Sequence, residues 1–133
     1  MRCVAVPAAR VMTWWWRIRE MVEQAVNRSG EMDVNDVLKA LLKRDMQLWL
    51  AVDEEVYAIC VTEIQLLPKK KICQIVYLTG RERWRWERMI LIIEAWAREA
   101  GCEVLKPITR PGWERDLSSF GFRKTHVVLE KAL

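Results

Sequence analysis

The sequence has few of the residues from which metal centres and disulfide frameworks are built. It contains a single histidine, His126, among 133 residues, and its four cysteines show no close C-x-x-C pairing. These cysteines are Cys3, Cys60, Cys73 and Cys102. Zinc sites and disulfide-rich domains need closely or regularly spaced ligands and thiols. We therefore expect reduced thiols, most of them buried in apolar runs, and no metal site.

Glycine, proline and long apolar runs are also scarce. With 52% apolar and 30% charged residues, the composition is that of one soluble globular domain over residues 1–133. The uninterrupted apolar stretches, such as residues 89–93, are far shorter than the roughly 20 residues that a membrane-spanning helix needs. The N-terminus has no secretory signal pattern. We expect a cytoplasmic protein without a membrane partner.

The hydrophobic periodicity predicts alternating helices and strands. We expect a strand at residues 2–6, a helix with apolar positions from Val11 to Val26, and a short amphipathic helix whose N-cap is Asp33. Three β-rich runs, at residues 48–52, 56–64 and 72–78, predict an antiparallel meander covered on both faces.

The rest of the chain alternates in the same way. We expect the longest helix at about residues 85–100, followed by a strand at 104–105, a short helix at 113–119 and a last strand at 125–129. The whole pattern predicts a mixed α/β (α+β) fold with a central, mostly antiparallel sheet flanked by helices.

The junction between the third run of the meander and the long helix is the candidate site. A phosphate cradle there needs residues without side chains, so that backbone N–H groups and a helix N-terminus can approach an anion. Residues 78–90 read LTGRERWRWERMI, and Trp84 and Trp86 stand where open positions are needed. The strand and helix that would flank a phosphate cradle are predicted here, but tryptophans occupy the positions that must lack a side chain.

The charged and aromatic side chains of this junction allow several roles. Arg81, Arg83 and Arg85 could hold a phosphate through their guanidinium groups, or they could simply be solvated. For Trp86 we favour packing onto the sheet. For Trp84 packing at the loop and contact with a protein partner stay equally open.

The order of elements resembles the GNAT acyltransferase fold, in which a strand and the following helix grip the pyrophosphate of acyl-CoA. The family pattern is Arg/Gln-x-x-Gly-x-Gly/Ala, and residues 81–86 place Arg81 at its first position and tryptophans at both small positions. Residues 110–122, which end in Gly121 and Phe122, resemble the last helix and closing Gly-Phe of the family. Segments QLWL (47–50), VTEI (61–64), RPGW (110–113) and LEKAL (129–133) resemble small GNAT-like proteins of tailed bacteriophages and prophages.

The resemblance also identifies missing catalytic groups. Many GNAT enzymes have a tyrosine that protonates the departing CoA thiolate, and the matching position here is Leu117. The usual general base is a carboxylate on the central strands. Residues 72–78 contain none, which leaves Glu63 as the nearest substitute.

These observations lead to one main hypothesis and two alternatives. We expect a GNAT-fold protein, in the host cytoplasm if phage-encoded, with a degraded acyl-CoA site and no cofactor. It would bind a protein partner rather than catalyse a reaction, and a symmetric homodimer is the simplest assembly. The first alternative is an N-acyltransferase that holds acetyl-CoA through Arg81, Arg83 and Arg85, with Glu63 or a water as base.

The second alternative is a small basic module that binds nucleic acid. The formal net charge is +4, and arginines alternate with tryptophans between residues 81 and 88. Because Glu82 and Glu87 interrupt this basic run, we do not expect nucleic acid to be the main partner.

Overall fold

A five-stranded sheet with helices on both faces organises the chain in the computed structural model, which describes residues 1–109 and 111–133. The strands are β1 (Arg2–Val6), β2 (Gln47–Val52), β3 (Val56–Leu66), β4 (Lys71–Gly80) and β5 (Val104–Pro107). The helices are α1 (Val11–Ser29), α2 (Val34–Leu42), α3 (Met89–Glu99) and α4 (Pro111–Ser118). Short 3-10 turns at Ala8–Arg10 and Arg83–Arg85 precede α1 and α3.

The strands lie in chain order, β1-β2-β3-β4-β5. The first three pairings are antiparallel, and two of them, β2–β3 and β3–β4, form the predicted meander; β5 is parallel to β4. The β4–β5 ladder ends where Ile75 pairs with Pro107. Beyond it, residues 76–80 of β4 continue beside β3 but leave β5, so the two parallel strands separate.

A β-bulge lies at the point of separation. Val61 of β3 pairs with Tyr77 and the next residue, Thr62, pairs with Ile75, so Val76 is an extra residue in β4. A bulge of this kind bends its strand and increases the local twist. It therefore helps to turn the second half of β4 away from β5.

Both faces of the sheet are covered, as the continuous apolar runs predict. On β2, Leu48, Leu50 and Val52 point into the core formed with α1 and α2, whereas Trp49 and Ala51 point into the core beneath α3. This alternation follows from the two-residue period of a strand. The predicted Asp33 cap is confirmed: its side chain accepts from the Asp36 N–H in a capping box.

Two element predictions are wrong. The longest helix is α1, with 19 residues, whereas α3 has 11 and begins at Met89 rather than at residue 85. A regular helix does not start at residue 85 because residues 83–85 form a tighter 3-10 turn and Trp86, which follows it, has a non-helical φ of −128°.

The last predicted strand, at residues 125–129, is also absent from the structure, where residues 122–133 have no regular secondary structure. β-Propensity measures packing against strand neighbours, so an apolar run without a partner strand forms no strand of its own. Arg110, the first residue of the RPGW segment, lies outside the described residues. Within residues 1–109 and 111–133, no helix has both the length and the apolar character to cross a membrane.

Candidate functional site

Gly80 is the last residue of β4. Its lack of a side chain is needed for strand pairing and not for the approach of an anion. A Cβ at this position would lie 2.5 Å from the Tyr57 carbonyl oxygen and 2.6 Å from the Ala58 Cβ. Since real Cβ atoms do not approach other atoms so closely, only glycine allows β3 and β4 to pair here. The glycine of the junction is therefore used for strand packing.

Trp86 fills the space beneath the junction. Its side chain is 1% exposed, and its indole N–H donates a 2.8 Å hydrogen bond to the Arg81 carbonyl oxygen. The ring packs in the core with Met89 and Ile93 and lies 6.4 Å from the Trp113 ring, measured between centroids. The expected packing of Trp86 onto the sheet is confirmed.

Trp84 has the opposite environment. Its side chain is 74% exposed, and its ring lies 6.0 Å from the guanidinium carbon of Arg85. The Trp84 side chain therefore faces solvent and is not packed against the core. Contact with a protein partner stays a prediction.

Six backbone amides between residues 85 and 91 are engaged within the junction itself. They donate hydrogen bonds of 2.8–3.2 Å to carbonyl oxygens of residues 82–88. The donors are Arg85, Trp86, Glu87, Met89, Ile90 and Leu91. A helix start normally offers unpaired N–H groups to an anion. Here carbonyl oxygens of residues 82–88 accept these bonds instead, so the six amides are not available to a ligand.

Two arginines of the junction pair with carboxylates of the turn between β2 and β3. Arg85 lies 2.9 Å from the Asp53 carboxylate, and Arg81 pairs with Glu55. Both guanidinium groups also lie over the Tyr57 ring, at 4.3 and 4.4 Å from its centroid. The hydrogen bond to Glu55 raises the pKa of Arg81, and the interaction with the Tyr57 side chain raises the pKa of Arg85.

The third arginine joins the junction to α4. Arg83 lies 2.8 Å from the Asp116 carboxylate, and its guanidinium carbon is 5.0 Å from the Trp113 ring centroid. Trp86, a second residue of the junction, also contacts α4 through Trp113. Together these contacts fix α4 against the junction.

A cleft lies where β4 and β5 separate. Its volume is about 270 Å³, and its walls are mainly apolar, formed by Ile75, Tyr77, Leu78, Ile108, Trp113 and Leu117. Leu117, at the position where the family resemblance implies a proton donor, lines this cleft with an aliphatic side chain. Among the described residues the lining contains no carboxylate.

Glu63 lies elsewhere. It is on β3, opposite Gln74, and lines a separate, wider groove of about 760 Å³ with Arg44, Asp45 and Trp96. The amide nitrogen of Gln65 is 3.5 Å from its carboxylate. The structure therefore does not bring Glu63 together with the three arginines or with the cleft.

The cysteines are also separate from any reactive group. All four are free, and Cys60 and Cys73 are fully buried on β3 and β4. Burial raises the pKa of Cys73 to about 11 and also raises the pKa of Cys60, so both thiols stay protonated at neutral pH. In the described part of the chain, no three His, Cys, Asp or Glu side chains are grouped as a metal site would require.

Sequence reasoning missed the acidic partners of the junction. The partners Asp53, Glu55 and Asp116 could not be identified from the sequence, because they lie in a turn and on a short helix far along the chain from the arginines. The sequence carries no local signal for these pairs, because exposed arginines are hydrated by water and need no fixed partner.

Solved structures share the architecture. No protein-family model and no curated protein sequence matches the chain. A probable acetyltransferase superposes with a TM-score of 0.73 at 17% identity, covering 100% of this chain and 97% of the other. A predicted acetyltransferase with acetyl-CoA from Clostridium acetobutylicum gives 0.73 at 12% identity, with 98% and 95% covered. The chain has the GNAT acyltransferase fold.

A further structure agrees with this assignment. A ribosomal-protein-alanine N-acetyltransferase from Brucella melitensis biovar Abortus 2308 gives a TM-score of 0.71 at 13% identity, covering 100% of this chain and 99% of the other. At such identities the likeness establishes the GNAT fold, and activity has to be argued from the site.

Proposed function

We propose that this protein is a GNAT-fold pseudoenzyme of the phage or prophage type, which binds a protein partner instead of transferring an acyl group. The observation that carries the proposal is the closed junction before α3. Six of its amides donate to carbonyl oxygens of the same segment, and Trp86 occupies the space below them. These six amides are not free to bind a pyrophosphate at the place where the fold would hold it.

The arginines support the same conclusion. A phosphate bound by Arg81, Arg83 or Arg85 would have to displace Glu55, Asp116 or Asp53 from its guanidinium group. Each displaced carboxylate would then face the incoming anion, and like charges at close range repel. The arginine side chains that could replace the backbone cradle are thus already paired with carboxylates of the protein itself.

The cleft between β4 and β5 also supports the proposal that the protein does not transfer an acyl group. Pockets for drug-sized ligands span roughly 300–1,000 Å³, and an acyl-CoA is larger than such a ligand. The cleft of about 270 Å³ offers less room, the aliphatic Leu117 cannot donate a proton, and the described lining contains no carboxylate to act as a base. An acyl transfer needs a group to accept the proton of the attacking amine and usually one to protonate the thiolate.

Trp84 is the feature that suits a protein partner. Tryptophan and arginine dominate the binding energy of many protein interfaces. Trp84 is 74% exposed and sits beside Arg85 on a loop that is fixed by ion pairs. A preorganised aromatic side chain of this kind loses little conformational entropy on binding.

Thermal unfolding with and without excess acetyl-CoA tests the loss of the cofactor site. A ligand that binds the native state at 100 times its Kd stabilises it by about 2.7 kcal/mol, which raises the Tm by several degrees. We expect the same Tm with acetyl-CoA, CoA or neither. A rise with both cofactors would overturn the proposal of a degraded site.

Affinity capture from host lysate tests the partner surface with a matched pair of variants. Trp84→Ala removes the tryptophan of the junction, and Trp16→Ala removes an equally exposed one on α1, at 76%. We expect a specific protein to bind the wild type and the Trp16 variant but not the Trp84 variant. Equal capture by all three would mean that Trp84 does not contact the partner.

One observation favours acyl transfer as a second candidate. The parallel strands β4 and β5 separate next to a bulge, and the cleft between them borders residues of β4 that have left the β5 ladder. Such free strand backbone could bind the amide groups of a pantetheine arm. If acetyl-CoA raises the Tm, acetylation of a panel of amines by wild type and Glu63→Gln would decide whether Glu63 acts as the base.

A further inference from the structure

Strand β3 has a free edge at one end of the sheet. Its ladder with β2 ends where Thr62 pairs with Gln47, whereas its ladder with β4 continues to the pair of Leu66 and Lys71. Residues 63–66 therefore pair on one side only. Successive residues of a strand turn their N–H and C=O groups to alternate edges, so two of these four residues present theirs to the open side. Outside the ladders, no backbone hydrogen bond among the described residues reaches residues 63–66.

The wide groove of about 760 Å³ lies along this free edge. Its lining includes Glu63 and Ile64 of the edge itself, together with the segment that leads from α2 into β2. That segment leaves the line of β2, because the N–H groups of Asp45 and Met46 both donate to the Ala40 carbonyl oxygen in α2. The space in which β2 would continue beside β3 is therefore open and forms the groove.

The side of the groove toward α3 is apolar. Ile64 lies four residues after Cys60, which belongs to the core beneath α3, so the two-residue period of a strand places both on that face. Trp96 lines the same groove and packs there against Trp49, with 5.2 Å between the ring centroids. Leu66, the next residue on this face, is 78% exposed. A peptide beside β3 would need apolar side chains on this side.

The opposite side of the groove carries negative charge. Glu63 points to the face of α1 and α2, and Asp45 lines the groove from the loop after α2. Neither carboxylate forms an ion pair with the described part of the chain. Arg44 also lines the groove, so the carboxylates outnumber the cations among its described lining residues by two to one. Because opposite charges on neighbouring strands stabilise their pairing, a lysine or arginine is favoured opposite Glu63.

From the free edge, the groove and its two sides we infer that the groove binds an extended peptide of a partner protein as an added strand beside residues 63–66. The peptide places apolar side chains toward Ile64 and Trp96 and a lysine or arginine opposite Glu63. In strand addition, main-chain hydrogen bonds give affinity and the alternate side chains give specificity. Ile64 lies about 24 Å along β3 from Tyr57 at the junction, so this inference is independent of the proposed function.

Amide NMR spectra of the isotope-labelled full chain test the site with a capped hexapeptide, Thr-Val-Lys-Val-Thr-Val, as the probe. We expect saturable shifts of the amide signals of residues 63–66 and of the Trp96 indole signal. Absence of a saturable shift at the solubility limit of the peptide overturns the inference, and so do shifts confined to other residues.

Two N-methylated forms of the probe test pairing through the backbone. One carries methyl groups on the three valine amides and the other on the remaining three, so that in a strand each form blocks one edge only. We expect one form to bind about tenfold or more weakly in Kd and the other to bind like the unmodified peptide. Equal binding of all three peptides would mean that the peptide does not pair as a strand, and would overturn the inference.

Charge reversal at Glu63 tests the chemistry of the peptide. Wild type should prefer the lysine probe to the same peptide with glutamate in place of lysine, and Glu63→Lys should reverse this order by about threefold or more. Glu54→Lys makes the same change of charge in the turn before β3 and should keep the wild-type order. The same order in all three proteins would mean that no basic residue lies opposite Glu63, and would overturn the inferred peptide.

A second copy of the chain is the other occupant that these experiments distinguish. Signals of residues 63–66 that do not change with protein concentration in the absence of peptide support a groove open to a partner. Signals that shift with protein concentration, together with a rising mass in sedimentation equilibrium, would mean that a second copy fills the groove, and would overturn the inference.

Discussion

Replacing Trp86 by alanine should remove the side chain that holds the β4–α3 junction onto the sheet. The indole is 1% exposed, packs in the core beneath α3 and donates a 2.8 Å hydrogen bond to the Arg81 carbonyl oxygen. Alanine at this position would leave a cavity and an unpartnered carbonyl group. The local shape of the junction, including the pairs made by its arginines, depends on this ring.

The expected loss of stability is large. Substituting a buried tryptophan by alanine costs about 3–5 kcal/mol, which is a major share of the 5–15 kcal/mol that stabilises a typical domain. Trp86→Phe separates the two contributions, because phenylalanine keeps most of the ring but cannot donate to Arg81. We expect this variant to lose about 1–2 kcal/mol, the value of one buried hydrogen bond with an acceptor left unpaired.

Urea unfolding followed by far-UV circular dichroism measures these differences. Trp84→Ala is the matched control: it deletes the same side chain two residues away, where 74% is exposed, and should change stability by no more than about 0.5 kcal/mol. If Trp86→Ala and Trp84→Ala cost the same, Trp86 does not support the junction and the reasoning on the filled cradle fails.

Three further substitutions test the fold around the site. Gly80→Ala should destabilise by about 1–3 kcal/mol, because its Cβ would lie 2.6 Å from the Ala58 Cβ, whereas Gly112→Ala meets nothing within 4 Å and should be neutral in the same urea assay. Asp33→Ala should cost about 1 kcal/mol and Asp33→Asn only a few tenths, because asparagine caps equally well; equal losses would exclude the cap. For Cys73 the folded pKa of about 11 exceeds the ordinary value of 9.0, so its contribution to stability is complete below pH 9 and is lost as pH rises toward 11. Stability measured across this window should fall more steeply for wild type than for Cys73→Ala, and parallel curves would refute this.

Much of the fold could be predicted from residue patterns. The apolar runs at residues 48–52, 56–64 and 72–78 correspond to β2, β3 and β4, and the sheet is covered on both faces. The patterns predicted these strands because each run is short, apolar and rich in strand-forming residues, which is a local property of the sequence. The start of α3 could not be predicted in this way, since the 3-10 turn and the positive φ of Glu82 depend on contacts of the junction with the sheet.

The site was only partly predictable. The order of residues already shows that Trp86 occupies a position where a phosphate cradle needs a small residue. That it is buried while Trp84, two residues away, is exposed depends on which side of the junction faces the core. The placement of Glu63 in a different groove from the β4–β5 cleft is likewise set by the neighbouring strands and helices, not by its own surroundings in the chain.

By itself the sequence determined the covered α/β sheet, the Asp33 cap and the substitution of tryptophans for the small residues of a phosphate cradle. The tertiary structure decided what closes that cradle. Arg81 and Arg85 find their carboxylates 26 and 32 residues away along the chain, and Arg83 pairs with Asp116 on α4. Periodicity records which side chains are buried, because burial has a local period. The choice of ion-pair partners, and the lack of a partner strand for residues 125–129, arise only when distant segments meet in the folded chain.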